Sequence, residues 1–157
     1  MGAALRGEPK TIEATGTAGT NDLVLDIPPE PEHARTARLF AAATARHFEL
    51  DPERVEDLKV AISEAVTNAI KAHASAGVEE PIHITVKAGS NGVRFDVSDV
   101  GAGFDARKAI RAAEDYAPTG GLSEGSLGLA LIRSLFPDME ITRNADRGMT
   151  ISITAER

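Results

Sequence analysis

Cysteine is absent from the chain, which removes disulfides, thiol nucleophiles and thiolate metal centres together and fits a reducing compartment. Histidine is sparse as well. The four are His33, His47, His73 and His83, no two of them stand four apart as a helical metal pair would, and a zinc site is not expected. No apolar run is long enough to span a bilayer, and the first residues are polar where a secretion signal would need its hydrophobic stretch. The expected setting is therefore the cytoplasm, away from membranes. Nor is there an excess of positive charge: 17 Lys and Arg stand against 24 Asp and Glu, a formal net charge of −7 that argues against direct nucleic-acid binding through phosphates. Any anionic ligand has to be held locally.

What remains is a globular composition, 42% hydrophobic and 26% charged over 157 residues, enough for one domain with a core. Residues 1–21 show no sustained periodicity and read as a flexible tail, leaving 22–157 as the folded domain. LVLDIP (23–28) alternates like a half-buried strand ended by Pro28-Pro29. A helix is expected over 32–48, with Ala34, Ala37, Leu39, Phe40, Ala43 and Phe48 as its apolar stripe. Asp51 then reads as an N-cap with Pro52 at the first helical position, opening a helix that runs to about His73. IHITVK (82–87) and VRFDVS (93–98) alternate with period two around a turn at 89–92. Residues 101–125 form a loop longer than a connection requires, with one short helical stretch near 106–113. A helix over 126–136 and strands at 139–143 and 149–154, around a turn at 144–148, complete the chain. This order predicts an α+β two-layer sandwich: a mixed, mainly antiparallel sheet with helices on one face.

Three short patterns carry chemistry. In SEAVTNAIKAHA (63–74), Glu64, Asn68 and Lys71 follow helical spacing along the flank of an apolar stripe, so Glu64 and Asn68 point the same way. An amide oxygen can hold Mg²⁺ while a carboxylate one turn away deprotonates a hydroxyl, a pairing suited to phosphoryl transfer, although such flanks are also common as solvated surface. In DVGAGFD (99–105), Asp99 at a strand end can accept a hydrogen bond from an exocyclic amino group, and Gly101 and Gly103 let the backbone approach a flat ligand; the same residues also make ordinary turns. EGSLGLALIRSL (124–135) leads a glycine-containing loop into an apolar helix, whose free amides can cradle phosphate or simply begin a structural helix.

Taken in this order, helical Glu-x-x-x-Asn, Asp-x-Gly-x-Gly after a strand and Gly-Ser-Leu-Gly-Leu opening a helix resemble the N, G1 and G2 boxes of the GHKL ATPase superfamily, whose fold is the Bergerat type. Within it, SEAVTNAI and the small size most resemble the anti-sigma factor serine kinases. The resemblance implies ATP and Mg²⁺ as cofactors, Glu64 as the base that prepares a substrate serine, and Asn68 as the Mg²⁺ ligand. It implies Asp99 as reader of the adenine amino group and Gly101 and Gly103 as shapers of the adenine pocket. Gly125, Ser126, Leu127 and Gly128 become the phosphate loop, and Thr150 in RGMTI a threonine near the purine. Ser126 stands where the group has a glycine, and Ala72, followed by His73, where it often has a histidine. An ATP lid is expected over about 105–124, hinged at Gly120-Gly121. The implied partners are a STAS-domain anti-anti-sigma factor as protein substrate, a sigma factor, and a second copy of the chain in a homodimer. The alternative is a non-catalytic module that uses ATP only as a partner switch.

Overall fold

The computed structural model describes residues 13–16, 22–103, 111 and 124–157. In chain order the elements are β1 (Glu13–Gly16), β2 (Leu23–Ile27), α1 (His33–His47), α2 (Pro52–Ala76), β3 (Ile82–Ala88), β4 (Gly92–Ser98), α3 (Glu124–Leu135), β5 (Glu140–Arg143) and β6 (Met149–Glu156). The strands form one sheet in the order β1-β2-β3-β4-β6-β5. The sheet expected to be mixed has only antiparallel pairings among the described residues. β1 lies inside the stretch read as a flexible tail, so that reading does not hold for 13–16. Four residues are too few to display a period of two, and this strand forms by adding to the open edge of β2. The expected lid, its hinge and the helical stretch near 106–113 lie outside the described residues, Arg111 excepted.

Alternation decides which face of the sheet the helices cover. Ile82, Ile84 and Val86 on β3, Val93, Phe95 and Val97 on β4, and Met149, Ile151, Ile153 and Ala155 on β6 are all buried. Phe95 stands between Val86 and Ile153 in register. Against this face lies α2, whose stripe of Leu58, Ile62, Ala65, Val66, Ala69 and Ile70 is buried too. Truncating one such Leu or Ile to Ala costs about 2–5 kcal/mol.

α1 meets α2 through small residues, with Ala37, Ala41, Ala42 and Ala45 buried. Leu39, expected on the apolar stripe, is 53% exposed, and Ala43 also faces solvent. The alanines allow close helix approach and leave Leu39 no room beneath.

α2 begins where Asp51-Pro52 predicts, although the Asp51 side chain makes no cap hydrogen bond, and runs past His73 to a left-handed Gly77. The closing bond goes from the Val78 N–H to the His73 carbonyl, 2.9 Å, the pattern of a Schellman end. At the other end, Arg54 donates to the Leu135 carbonyl at the end of α3, 3.2 Å, with its guanidinium 4.4 Å from the centre of the Phe136 ring. Among the described residues no helix is long and apolar enough to cross a membrane.

Candidate active site

The flank of α2 that carries Glu64 and Asn68 faces the start of α3. A Cβ placed on Gly128 would lie 2.8 Å from Glu64 Oε2 and 3.7 Å from both Asn68 side-chain polar atoms. A side chain at 128 would have to displace the carboxylate of Glu64, so glycine here lets the first turns of α3 close on it as it stands. Gly125 and Ser126 lie in the first turn, so the expected phosphate loop is the helix start itself, and Leu127 beside them is 42% exposed. The end of a helix that presents free amides thus stands over a carboxylate and an amide.

One further turn along the same helix, the second pattern arrives. A Cβ on Gly101 would be 2.7 Å from the Ala72 carbonyl carbon and 2.7 Å from its Cβ, so the chain leaving β4 lies directly on α2. From Glu64 to Ala72 the helix rises about 12 Å, a length that an extended purine triphosphate can follow.

Asp99 is 7% exposed. Its Oδ1 accepts the Gly101 N–H at 3.0 Å and the Met149 N–H at 3.3 Å. Its own amide donates to the Met149 carbonyl at 2.9 Å, and its carbonyl accepts Asn144 Nδ2–H at 2.9 Å. Among the described residues Oδ2 makes no hydrogen bond, leaving one carboxylate oxygen to accept from a ligand. Gly103, at φ 75°, sits near Met149 and Arg143.

Thr150 is not in this pocket. It faces the sheet surface opposite the helices, because Met149, Ile151 and Ile153 hold the alternate, buried positions. Its hydroxyl donates to Asn144 Oδ1 at 2.6 Å and is 2.7 Å from Ser98 Oγ. Through Asn144, which also donates to the Asp99 carbonyl, it supports the backbone of the pocket from behind. Met149 stands on the pocket side.

Three further positions, outside the three patterns, support the Asp99 bend. Asn144 is one. Gly148 is the second: at φ 87° a Cβ there would lie 2.0 Å from the Asp99 carbonyl oxygen, so no other residue allows the β5–β6 turn to close on the box. The third is His73, which is wholly buried and accepts the Val100 N–H on Nε2 at 2.9 Å. It continues the spacing of Val66, Ala69 and Ile70, a signal that it faces inward. Burial holds its pKa below the ordinary 6.5, outweighing the pull of Asp99 and Glu80 in the other direction.

On the solvent side of Glu64 a cleft of about 410 Å³ opens between α1 and α2, lined by Arg35, Arg38, Leu39, Lys59, Val60 and Glu64 among others. Glu64 is therefore reachable from two sides, from α3 and from the cleft. The residues fit a Mg²⁺-bound nucleotide: an amide oxygen and a carboxylate on one helix flank, a glycine that leaves space against them, and a spare acceptor at the far end.

A helical layer on an antiparallel sheet, with this flank between a helix start and a strand-end carboxylate, is the architecture of the histidine kinase-like ATPase domain, and the chain belongs to that family, whose model matches residues 27–155. Among its relatives within the class are serine-protein kinases. It is 32% identical over 120 residues to the serine-protein kinase RsbW of Oceanobacillus iheyensis, covering 74% of this chain and 76% of that one. It is 33% identical over 145 residues to the RsbW of Bacillus pumilus, covering 86% of each. A chain of the SiaB–SiaC complex from Pseudomonas aeruginosa shares the fold, with a TM-score of 0.61 at 9% identity over 83% of this chain and 87% of that one.

Proposed function

We propose that the chain is an ATP-dependent protein serine kinase and anti-sigma factor, which phosphorylates a STAS-domain anti-anti-sigma antagonist and sequesters a sigma factor. The observation that carries this reading is the meeting of Glu64 and Asn68 with Gly128 at the start of α3, on the same flank of α2 against which Gly101 delivers Asp99.

Each residue then has a task. Asp99 Oδ2 accepts from the adenine amino group, while the two amides on Oδ1 keep the carboxylate from turning. The free first-turn amides of α3, at Gly125 and Ser126, face the phosphate oxygens, and Gly128 leaves space against Glu64 and Asn68. Asn68 offers its amide oxygen to Mg²⁺, which when bound neutralises charge on the triphosphate. Glu64 takes the proton of the acceptor serine as its oxygen bonds to the γ-phosphorus and the bond from phosphorus to the ADP oxygen breaks, with ADP leaving. A positioned base of this kind contributes about 10²–10⁴-fold. The cleft beside Glu64 is where the acceptor segment enters, and Arg35 and Arg38 on its walls suit an acidic partner surface, Lys59 there being paired with Glu56 at 3.1 Å.

Similarity to serine-protein kinases over most of both chains supports catalysis over the reading as a non-catalytic switch. The working form is a homodimer in the cytoplasm. The test is incubation with γ-labelled ATP, Mg²⁺ and STAS-domain candidates encoded alongside the chain. Phosphoserine on one of them, absent with Glu64→Gln, is expected; nucleotide binding with no candidate labelled would leave the switch reading in its place.

A further inference from the structure

We infer that His73 is a positioning residue for purine recognition, its ring nitrogen holding the Asp99 loop to the helix that carries Glu64 and Asn68. The inference rests on the nucleotide reading of the Asp99 pocket and names a residue that the three boxes do not contain.

Three consecutive amides leave β4, and each has a different anchor. The Asp99 N–H goes to the Met149 carbonyl on β6, 2.9 Å. The Val100 N–H goes to His73 Nε2, 2.9 Å, and the Gly101 N–H returns to Asp99 Oδ1, 3.0 Å. β6, α2 and the carboxylate itself thereby fix the peptide planes on both sides of Asp99, and His73 supplies the tie to α2. Because a backbone amide can only donate, Nε2 carries no proton, and the neutral ring has its proton on Nδ1.

That tautomer gives a fully buried side chain one well-formed hydrogen bond, the one on Nε2. Nδ1 is sealed from solvent, and its proton faces the backbone carbonyl of Glu80 without forming a hydrogen bond of good geometry. A leucine at this place on the stripe would bury as well but would leave the Val100 N–H without its acceptor. The bond on the other side of the ring is the one that matters to the site, because an unheld Val100 amide would free the Asp99 loop from α2. The groups facing the ring are Asp99, the Glu80 backbone and carboxylate, and Arg147; burial dominates them and keeps the ring neutral. A protonated Nε2 would point a donor at the Val100 donor and break the tie.

The test compares ATP with inosine triphosphate, which turns toward Asp99 an acceptor oxygen in the place of the exocyclic amino donor. Both are titrated with Mg²⁺ into the full chain as wild type, His73→Gln, His73→Asn and His73→Leu. The Gln amide oxygen falls where Nε2 lies, while that of Asn stops short of Val100. Wild type and His73→Gln should show the same preference for ATP, to within about twofold. His73→Asn and His73→Leu should lose about five- to tenfold in ATP affinity, the size of one hydrogen bond, with inosine triphosphate affinity changed by less than about twofold. A loss shared equally by both nucleotides, or an Asn variant that keeps the full preference, overturns the role of His73 while leaving the pocket intact. A wild type with no preference for ATP overturns the purine reading and this inference together. If His73→Leu does not fold, the Gln and Asn pair decides.

Discussion

Replacing Asp99 with Asn exchanges one carboxylate oxygen for an NH₂ group and should separate the site from the fold. Two backbone donors, Gly101 N–H at 3.0 Å and Met149 N–H at 3.3 Å, converge on Oδ1. They force the new amide to keep its oxygen there, because a flipped amide would set donor against donor on both. The NH₂ group then occupies the place of Oδ2 and points a donor at the adenine amino donor. A hydrogen bond to a charged group contributes about 1.5–3 kcal/mol, so affinity for Mg²⁺-ATP should fall roughly 10- to 150-fold. The anchors of the loop survive, so the melting temperature should move by no more than a few degrees. Calorimetric titration and a melting curve on the same preparation read both quantities. An Asp99→Asn variant that binds ATP within twofold of wild type would refute the placement of adenine on Oδ2.

Glu64→Gln should lower the rate of phosphoserine formation about 10²–10⁴-fold with ATP affinity nearly unchanged, as single-turnover assays would show; a parallel collapse of binding would make Glu64 part of the nucleotide cradle instead. Gly148→Ala should cost about 3 kcal/mol or more in urea unfolding, since its Cβ would sit 2.0 Å from the Asp99 carbonyl oxygen, and a stable variant would mean that the turn can move away from the box. His73 also sets a pH dependence. Its folded pKa lies below the ordinary 6.5, so its contribution to stability is full above that value and is lost as pH falls through the lowered folded value. Urea unfolding from about pH 8 to about pH 5 should therefore show a downward slope in wild type that His73→Gln flattens, and equal slopes would contradict it.

Much of this arrangement is visible in residue patterns because local chemistry dictates it. Asp51-Pro52 starts α2, Gly77 ends it, and residues 89–92 turn the β3–β4 hairpin at the expected place. The helical spacing of Glu64 and Asn68 does put them together, beside Gly128. What motif spacing could not supply is the phase of a strand. The resemblance of RGMTI sets Thr150 near the purine, yet the apolar alternation of Met149, Ile151, Ile153 and Ala155 puts it on the opposite face. β1 was illegible for a different reason, since its pairing depends on an edge that exists only once β2 is in the sheet. His73 had the right helical phase, but a single histidine carries no sign of what will reach it. Its partner, the Val100 amide, is 27 residues away in the chain.

The central claim is that one cavity, bounded by α2, the Asp99 bend and the start of α3, holds a magnesium-bound ATP. Its most direct test is a calorimetric titration of ATP into wild type and Asn68→Ala, each with Mg²⁺ and with EDTA. The account predicts saturable binding of one ATP per chain that requires Mg²⁺ in wild type and is lost in Asn68→Ala. No binding, or binding indifferent to both the metal and Asn68, would contradict it.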